Sequence, residues 1–185
     1  MIDVKNLYYS YNEDGSYAVK DVSFHIETGE IFGFLGPSGA RKSTTQGILT
    51  GLLEHQKGEI IIDGQARKGM PDKAFFNRIG VGFEIPNVYK KLSGIDNLEF
   101  HRRLYDGETE DPMQVLEWVG LADAAKQKAN SYSKGMKQRL GFARSLINKP
   151  NIWFLDEPTM GLDPNTANSI KKIVRDKQAA GTTIF

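Results

Sequence analysis

Nine consecutive residues, Gly36-Pro37-Ser38-Gly39-Ala40-Arg41-Lys42-Ser43-Thr44, combine small side chains, a lysine and hydroxyls in an order suited to holding an anion. They follow the continuously apolar run Ile31-Phe32-Gly33-Phe34-Leu35, which reads as a buried parallel strand, and they lead into a helix predicted over 42–53. A loop between such a strand and helix aims backbone N–H groups and the positive end of the helix dipole at one point. This is the setting of the pattern G-x-x-x-x-G-K-[ST], in which Lys42 supplies a point charge to terminal phosphates and the Ser43 hydroxyl ligates Mg²⁺. Arg41 breaks the pattern, standing where the second glycine would let phosphates approach the backbone without a Cβ in the way. Alone, the segment could equally be an ordinary strand-to-helix loop.

A second cluster weighs against that. Ile152-Trp153-Phe154-Leu155 reads as a buried strand that delivers Asp156 to its carboxyl end, with Glu157 next. Ligands of open α/β sheets bind at that end. An Asp there can hold Mg²⁺ through its water shell, and an adjacent Glu can polarise an attacking water. Acids after strands are common, but an acidic pair downstream of a phosphate loop points to phosphoryl chemistry.

The elements that must position these residues follow from periodicity. Val22, Phe24 and Ile26 alternate with polar neighbours as in a half-buried strand, and Gly58 closes the first helix before a strand over 59–63. Asp111-Pro112-Met113-Gln114 sets a capping residue, a proline at the first helical position and a Gln able to reach back. Further helices are predicted over 134–148, ending before Pro150, and over 165–180, through Ile170, Ile173 and Val174 with Gly181 as the stop. A last strand begins at Thr182. Strands and helices alternate at both ends around a helical middle, which argues for a parallel α/β core.

Composition excludes several classes. Counting Gly but not Tyr, about 84 of 185 residues are apolar, roughly 45%, the usual share of a globular chain. The 24 Lys and Arg against 23 Asp and Glu leave a net charge of +1, so no whole-chain field favours nucleic acid or an anionic membrane. No apolar run approaches the roughly 18 residues of a membrane span, and the start, Met1-Ile2-Asp3-Val4-Lys5-Asn6, carries charges where a secretion signal would be apolar. Zero cysteines remove thiolate and disulfide chemistry.

Over essentially its whole length the chain resembles the ATP-binding subunits of ABC transporters, in a multidrug-exporter-like form. Ser133-Lys134-Gly135-Met136-Lys137-Gln138-Arg139-Leu140 resembles their signature segment. Leu155-Asp156-Glu157-Pro158-Thr159 with Gly161-Leu162-Asp163-Pro164 resembles their Walker B and D-loop, and Tyr11, four residues after Leu7, resembles the aromatic that stacks on adenine. On the residues alone, Tyr8, Tyr9 and Tyr11 could instead be a strand edge. The resemblance implies an α/β P-loop ATPase core with a parallel sheet, an N-terminal antiparallel β subdomain and a helical insert. Residues 1–84 and 150–185 would form the core with its β subdomain, and 85–149 the helical subdomain, in one ATP-binding domain.

It also implies ATP and Mg²⁺ as cofactors, with Glu157 and Lys42 catalytic. Tyr11 and the loop residues Gly36, Pro37, Ser38, Gly39, Ala40, Arg41, Lys42, Ser43 and Thr44 would bind nucleotide, and Ser43, Asp156 and Glu84 would serve the metal. Ser133, Lys134, Gly135 and Met136 would face the ATP of a second ATP-binding subunit in a head-to-tail homo- or heterodimer. A transmembrane subunit would dock on the helical part, where Val88, Tyr89 and Leu92 are candidates for contact or for simple packing. The protein would sit in the cytoplasm at the inner face of the membrane, without nucleic acid.

Three departures from the family qualify this. Arg41 is the first. Glu84, in Ile79-Gly80-Val81-Gly82-Phe83-Glu84-Ile85-Pro86, stands where the family usually has Gln, and a carboxylate cannot donate as an amide does. The chain also ends before the histidine expected beyond Phe185, so the domain is expected to be C-terminally incomplete; His25, His55 and His101 read as ordinary surface or edge residues. Alternative readings are a nucleotide-binding module with impaired turnover, a soluble non-transport ABC ATPase, usually built with two cassettes, and a P-loop kinase, in which a signature segment has no role. Arg41 generates a direct expectation: Arg41→Gly binds Mg-ATP at least tenfold more tightly, about 1.4 kcal/mol. Isothermal titration of both proteins checks it, and equal affinities would mean that the loop accommodates the arginine.

Overall fold

Apolar residues recurring along the first sixty positions build an antiparallel sheet from β1 (Ile2–Tyr9), β2 (Val19–Ile26), β3 (Lys57–Ile62) and β4 (Gln65–Ala66), in the order β2-β1-β3-β4. The computed structural model describes residues 2–12, 16–34 and 42–185. Asp63 and Gly64, with φ of +49° and +77°, turn β3 into β4, as the two-residue turn of a twisted hairpin requires. β1 is irregular between Val4 and Leu7, where Asn6 (φ +46°) donates from Nδ2 to Oδ1 of Asp21 (φ +52°) at 2.9 Å. Short polar side chains tolerate that left-handed backbone best. Gly58, expected to stop the first helix, instead lies inside β3 against the Asn6 carbonyl. The strand accordingly starts two residues earlier than the pattern predicts, and Asp63 belongs to the turn.

The first helix, α1 (Lys42–Leu49), is shorter than its apolar pattern suggests. Leu52 N–H donates to Gly47 O at 2.8 Å and Gly51 N–H to Ile48 O at 3.1 Å, with Gly51 at φ +80°. That pair of bonds is a Schellman cap, so Gly51 terminates the helix and Leu52 and Leu53 lie beyond it.

A parallel sheet forms from β5 (Ile79–Gly82), β6 (Ile152–Leu155) and β7 (Thr183–Ile184), in the order β5-β6-β7. The helix α2 (Asp72–Arg78) leads directly into β5. The run at 31–35, predicted as a buried strand, has Leu35 outside the described residues, and its residues 31–34 make one parallel bridge, Ile31 to Ile184, with Ile31 47% exposed. Its aromatics are held by stacking, with Phe24, Phe32, Phe34 and Phe154 each having its ring centroid within 6.0 Å of Phe185.

Between β5 and β6 the chain is helical, with α3 (Gly94–Arg102), α4 (Pro112–Trp118) and α5 (Lys134–Arg144); α6 (Pro164–Ala179) follows β6. Each starts at a side-chain cap: Ser93, Asp111, Ser133 and Asp163 accept from the backbone N–H three residues on. At α4 the capping Asp111 forms as predicted, but Gln114 does not reach back. Its Nε2 donates to Glu117 Oε2 at 2.8 Å, a pair three apart on one helix face.

β6 joins two cores. Ile152 and Phe154 pack with Ile2, Leu7, Ile48, Leu49 and Ile60, whereas Trp153 packs with Leu98, Leu116, Leu140, Phe142 and Ile147. Successive side chains of a strand point to opposite faces, which is how one short segment serves both. The Trp153 indole donates to Ser145 Oγ at 2.8 Å, satisfying a fully buried N–H.

β5 comes so close to the end of α5 that an added Cβ on Gly80 would fall 2.1 Å from the Ser145 carbonyl oxygen and 2.9 Å from Pro150 Cγ. Gly80→Ala should therefore cost about 1–3 kcal/mol by overpacking. Gly33→Ala, with nothing among the described residues within 4 Å of the added carbon, should stay within about 0.5 kcal/mol of the parent. Thermal melts compare the two, and equal melting temperatures would contradict the close approach.

Candidate functional site

Asp156 continues the β6 ladder one step, its N–H donating to Gly82 O at 2.8 Å. Its carboxylate then accepts a hydrogen bond from Ser43 Oγ at 3.2 Å, across 113 residues of sequence. The first turn of α1 thus meets the carboxyl end of β6, and Ser43, Thr44 and Asp156 come together there. Lys42 is the first residue of that helix and is half-buried. Gly36, Pro37, Ser38, Gly39, Ala40 and Arg41 lie outside the described residues.

Glu157 is exposed and has φ +46°. A left-handed backbone costs an ordinary side chain roughly 1–2 kcal/mol, and residues held this way cluster at functional sites. The following turn holds it, with Met160 N–H donating to Glu157 O at 3.0 Å. Glu84 is exposed two residues beyond Gly82, which pairs with Leu155 in the parallel register, so Glu84 leaves its strand at the same sheet end as Asp156.

Tyr11 lies beside α1. Its hydroxyl is 2.9 Å from Thr44 Oγ1, and its ring stands edge-on to Tyr9 with centroids 4.9 Å apart. Tyr11 is 61% exposed. Ser133, Lys134, Gly135 and Met136 form the cap and first turn of α5, with Ser133 Oγ accepting from Met136 N–H at 3.2 Å. The Ser133 hydroxyl keeps its own hydrogen to donate. A Cβ at Gly135 would lie 3.7 Å from Leu162, which places this turn against the loop after β6.

Among the described residues no group of three or more His, Cys, Asp or Glu could hold a metal ion. A hydroxyl and one carboxylate at 3.2 Å are instead the small hard-oxygen set that Mg²⁺ uses when waters and substrate phosphates complete its shell. Ser43 and Asp156 fit that ion.

A second concavity, about 230 Å³, lies between β5 and the helices and is lined by Leu52, Phe76, Phe83, His101, Tyr105 and Arg144. Phe76 and Phe83 of its lining are exposed, as are Ile85, Tyr89, Phe100 and Leu104, and the Tyr89 and Phe100 ring centroids lie 6.1 and 6.2 Å from that of His101. Tyr89 is exposed as a contact residue needs to be. Val88 and Leu92 are half-buried, and Val88 packs on the helical core. The exposed set was hidden in the sequence because only the fold gathers it. Among the described residues no helix is long and apolar enough to cross a membrane.

The histidines differ from one another. His25 is exposed on β2, with Nδ1 2.6 Å from Asp3 and Nε2 2.9 Å from Glu27, and these bonds raise its pKa. His55 is half-buried. His101, predicted as an ordinary surface or edge residue, is also half-buried: among the described residues its buried Nδ1 has no hydrogen-bond partner, and burial, helped by Arg144, pushes its pKa down to about 4.

A family model described as ABC transporter matches residues 19–160. The chain belongs to the ABC transporter family. A fluoroquinolones export ATP-binding protein of Mycobacterium tuberculosis (strain ATCC 25618 / H37Rv) is 52% identical over 186 residues, covering 100% of this chain and 61% of the relative. A lantibiotic transport ATP-binding protein of Streptococcus pyogenes is 36% identical over 187 residues, covering 100% of this chain and 78% of that one. The chain therefore spans about three fifths of the length of its fluoroquinolones export relative. A dimeric ATP-binding cassette in a post-hydrolysis state, bound to ADP and Pi, superimposes with a TM-score of 0.87 at 30% identity, covering 100% of this chain and 86% of that chain. The fold of this ABC chain is thus the α/β P-loop ATPase fold that the motifs imply.

His101 yields a pH dependence. Its folded pKa, near 4, lies below the unfolded value of 6.5, so the stability it contributes is complete above about pH 6.5 and is lost as pH falls toward 4. His25, whose pKa is raised, works in the opposite sense. Urea unfolding from pH 7.5 to 4.5 should show a decline that is shallower in His101→Gln, and identical slopes would mean that His101 is not buried in its neutral form.

Proposed function

We propose that this chain is the ATP-binding and ATP-hydrolysing unit that powers an ABC exporter. The observation that carries the reading is the Ser43–Asp156 hydrogen bond at 3.2 Å, which joins the end of the phosphate-loop motif to the acidic strand end. Mg²⁺, when bound between these oxygens and the nucleotide, would neutralise phosphate charge. Lys42 and the loop 36–44 would hold the phosphates, with Tyr11 beneath the base. Glu157, exposed at the strand end, would orient and deprotonate the attacking water. Glu84, at the same sheet end, would accept a hydrogen bond from a metal-bound water.

Ser133, Lys134, Gly135 and Met136 would act on the nucleotide of a second ATP-binding subunit. The N-terminus of an eleven-residue helix with a free hydroxyl hydrogen at its cap suits an anion. The dimeric cassette bound to ADP and Pi supports a paired assembly. We take 85–149 as the helical subdomain. The concavity beside His101, with its exposed aromatic rim, would receive a transmembrane subunit at the cytoplasmic face of the membrane. The relative named for fluoroquinolones export supports export as the direction. With a net charge of +1, nucleic acid is not the expected partner.

Glu157→Gln in the complete protein tests the reading. It should still bind Mg-ATP and lose at least about a hundredfold in turnover, the usual contribution of a general base. Size-exclusion chromatography with ATP should show more dimer than in the parent. Near-parental turnover would remove Glu157 as the base. A parent that binds ATP without turning it over would favour a binding module impaired at Arg41.

A further inference from the structure

We propose that the Tyr11 hydroxyl is a positioning group for the phosphate grip: it donates to Thr44 Oγ1 and so presents the Thr44 proton to a nucleotide phosphate. This rests on the nucleotide reading above and deepens it. An aromatic that only stacked on a base would need no hydroxyl. Here the hydroxyl is 2.9 Å from Thr44 Oγ1, 33 residues away on the first turn of α1. Thr44 is only 7% exposed, so Tyr11 is a partner its hydroxyl cannot readily exchange for bulk water.

The segment carrying Tyr11 is pinned on both sides. Ser10 N–H donates to Gln56 Oε1 and Gln56 Nε2 donates back to Ser10 O, each at 2.9 Å. The Ser10 hydroxyl lies 2.6 Å from the carbonyl oxygens of both Asn12 and Ser16 and gives its one hydrogen to this pair. The Tyr9 ring meets Tyr11 edge-on. Backbone, ring and hydroxyl are thus all fixed although Tyr11 is 61% exposed. Such order at an exposed side chain has an entropic cost, which the hydroxyl bond helps to offset.

The direction of the bond follows from what it must serve. A phenol is a stronger acid than an aliphatic alcohol and so the better donor of the two. With Tyr11 donating, Thr44 Oγ1 is the acceptor and its own hydrogen is left to give. An anion at the first turn of α1 selects that same direction, because phosphate oxygens only accept. The relay from Tyr11 through Thr44 to phosphate is then cooperative, each bond polarising the next. In this way the base platform and the phosphate helix are one unit.

The test uses the complete protein, in the parent and Arg41→Gly backgrounds, titrated calorimetrically with Mg-ATP and with magnesium tripolyphosphate, which has no base to stack. Tyr11→Phe keeps the ring and should weaken tripolyphosphate about threefold to tenfold, the range of one net hydrogen bond, and weaken ATP by the same factor. In a Thr44→Val background, Tyr11→Phe should cost nothing more. Unchanged tripolyphosphate affinity in Tyr11→Phe, or an equal loss with and without the Thr44 hydroxyl, would overturn the proposal while leaving the nucleotide reading intact. Failure of both the parent and the Arg41→Gly protein to bind either ligand would overturn both.

Discussion

Trp153 and its neighbours on β6 carry the constraint on which the rest of the structure depends. Ile152 and Phe154 fill the core beneath the antiparallel sheet, while Trp153 fills the helical core and gives its indole N–H to Ser145. A slip of one residue would turn every one of these side chains to the wrong face. It would also rotate Asp156 away from Ser43, because the carboxylate leaves the strand with the same alternation. The packing of an apolar strand and the placement of a carboxylate are therefore one register decision. Gly80, lying against the Ser145 carbonyl with no room for a Cβ, fixes that register from the neighbouring strand.

What could be read in the sequence is what is decided locally. The strand over 152–155 and its acids, the cap Asp111, and the helices predicted from 134 and from 165 all come from residue types at fixed spacing. The features that eluded it are decided at a distance. Gly58 looks like a helix stop, and only the Asn6 carbonyl crossing it shows why a glycine stands inside a strand. Leu52 and Leu53 keep a helical period, yet the cap at Gly51 ends the helix before them. His101 reads as an ordinary surface or edge residue until α3 packs it beside Tyr105 and Arg144. Gln114 had two partners within reach, and the sequence does not rank them.

The site combines rigidity with one strained element. Asp156 is tied into the ladder through Gly82, whereas Glu157 is forced into a left-handed backbone by the turn that follows. Adjacent side chains on a regular strand would point to opposite faces of the sheet. The left-handed residue breaks that alternation, so the two acids need not be directed apart. A strain of roughly 1–2 kcal/mol is small beside the buried apolar surface of β6, which is why the fold can hold it.

The starts of α1 and α5 stand on opposite sides of the same strand. α1 packs through Ile48 and Leu49 into the core shared with Ile152 and Phe154, and α5 packs through Leu140 and Phe142 into the core shared with Trp153. Each N-terminus carries partial positive charge that needs an anion or a cap. At α1 the neighbouring groups are Ser43, Thr44 and Asp156, which suit phosphate and Mg²⁺. At α5, Ser133 satisfies one N–H and keeps a hydrogen to donate, a site only partly filled from within. The two helix starts are thus separated by β6 and its two cores. Two anion-receptive helix starts on opposite sides of one strand are the arrangement that the paired assembly proposed above would use.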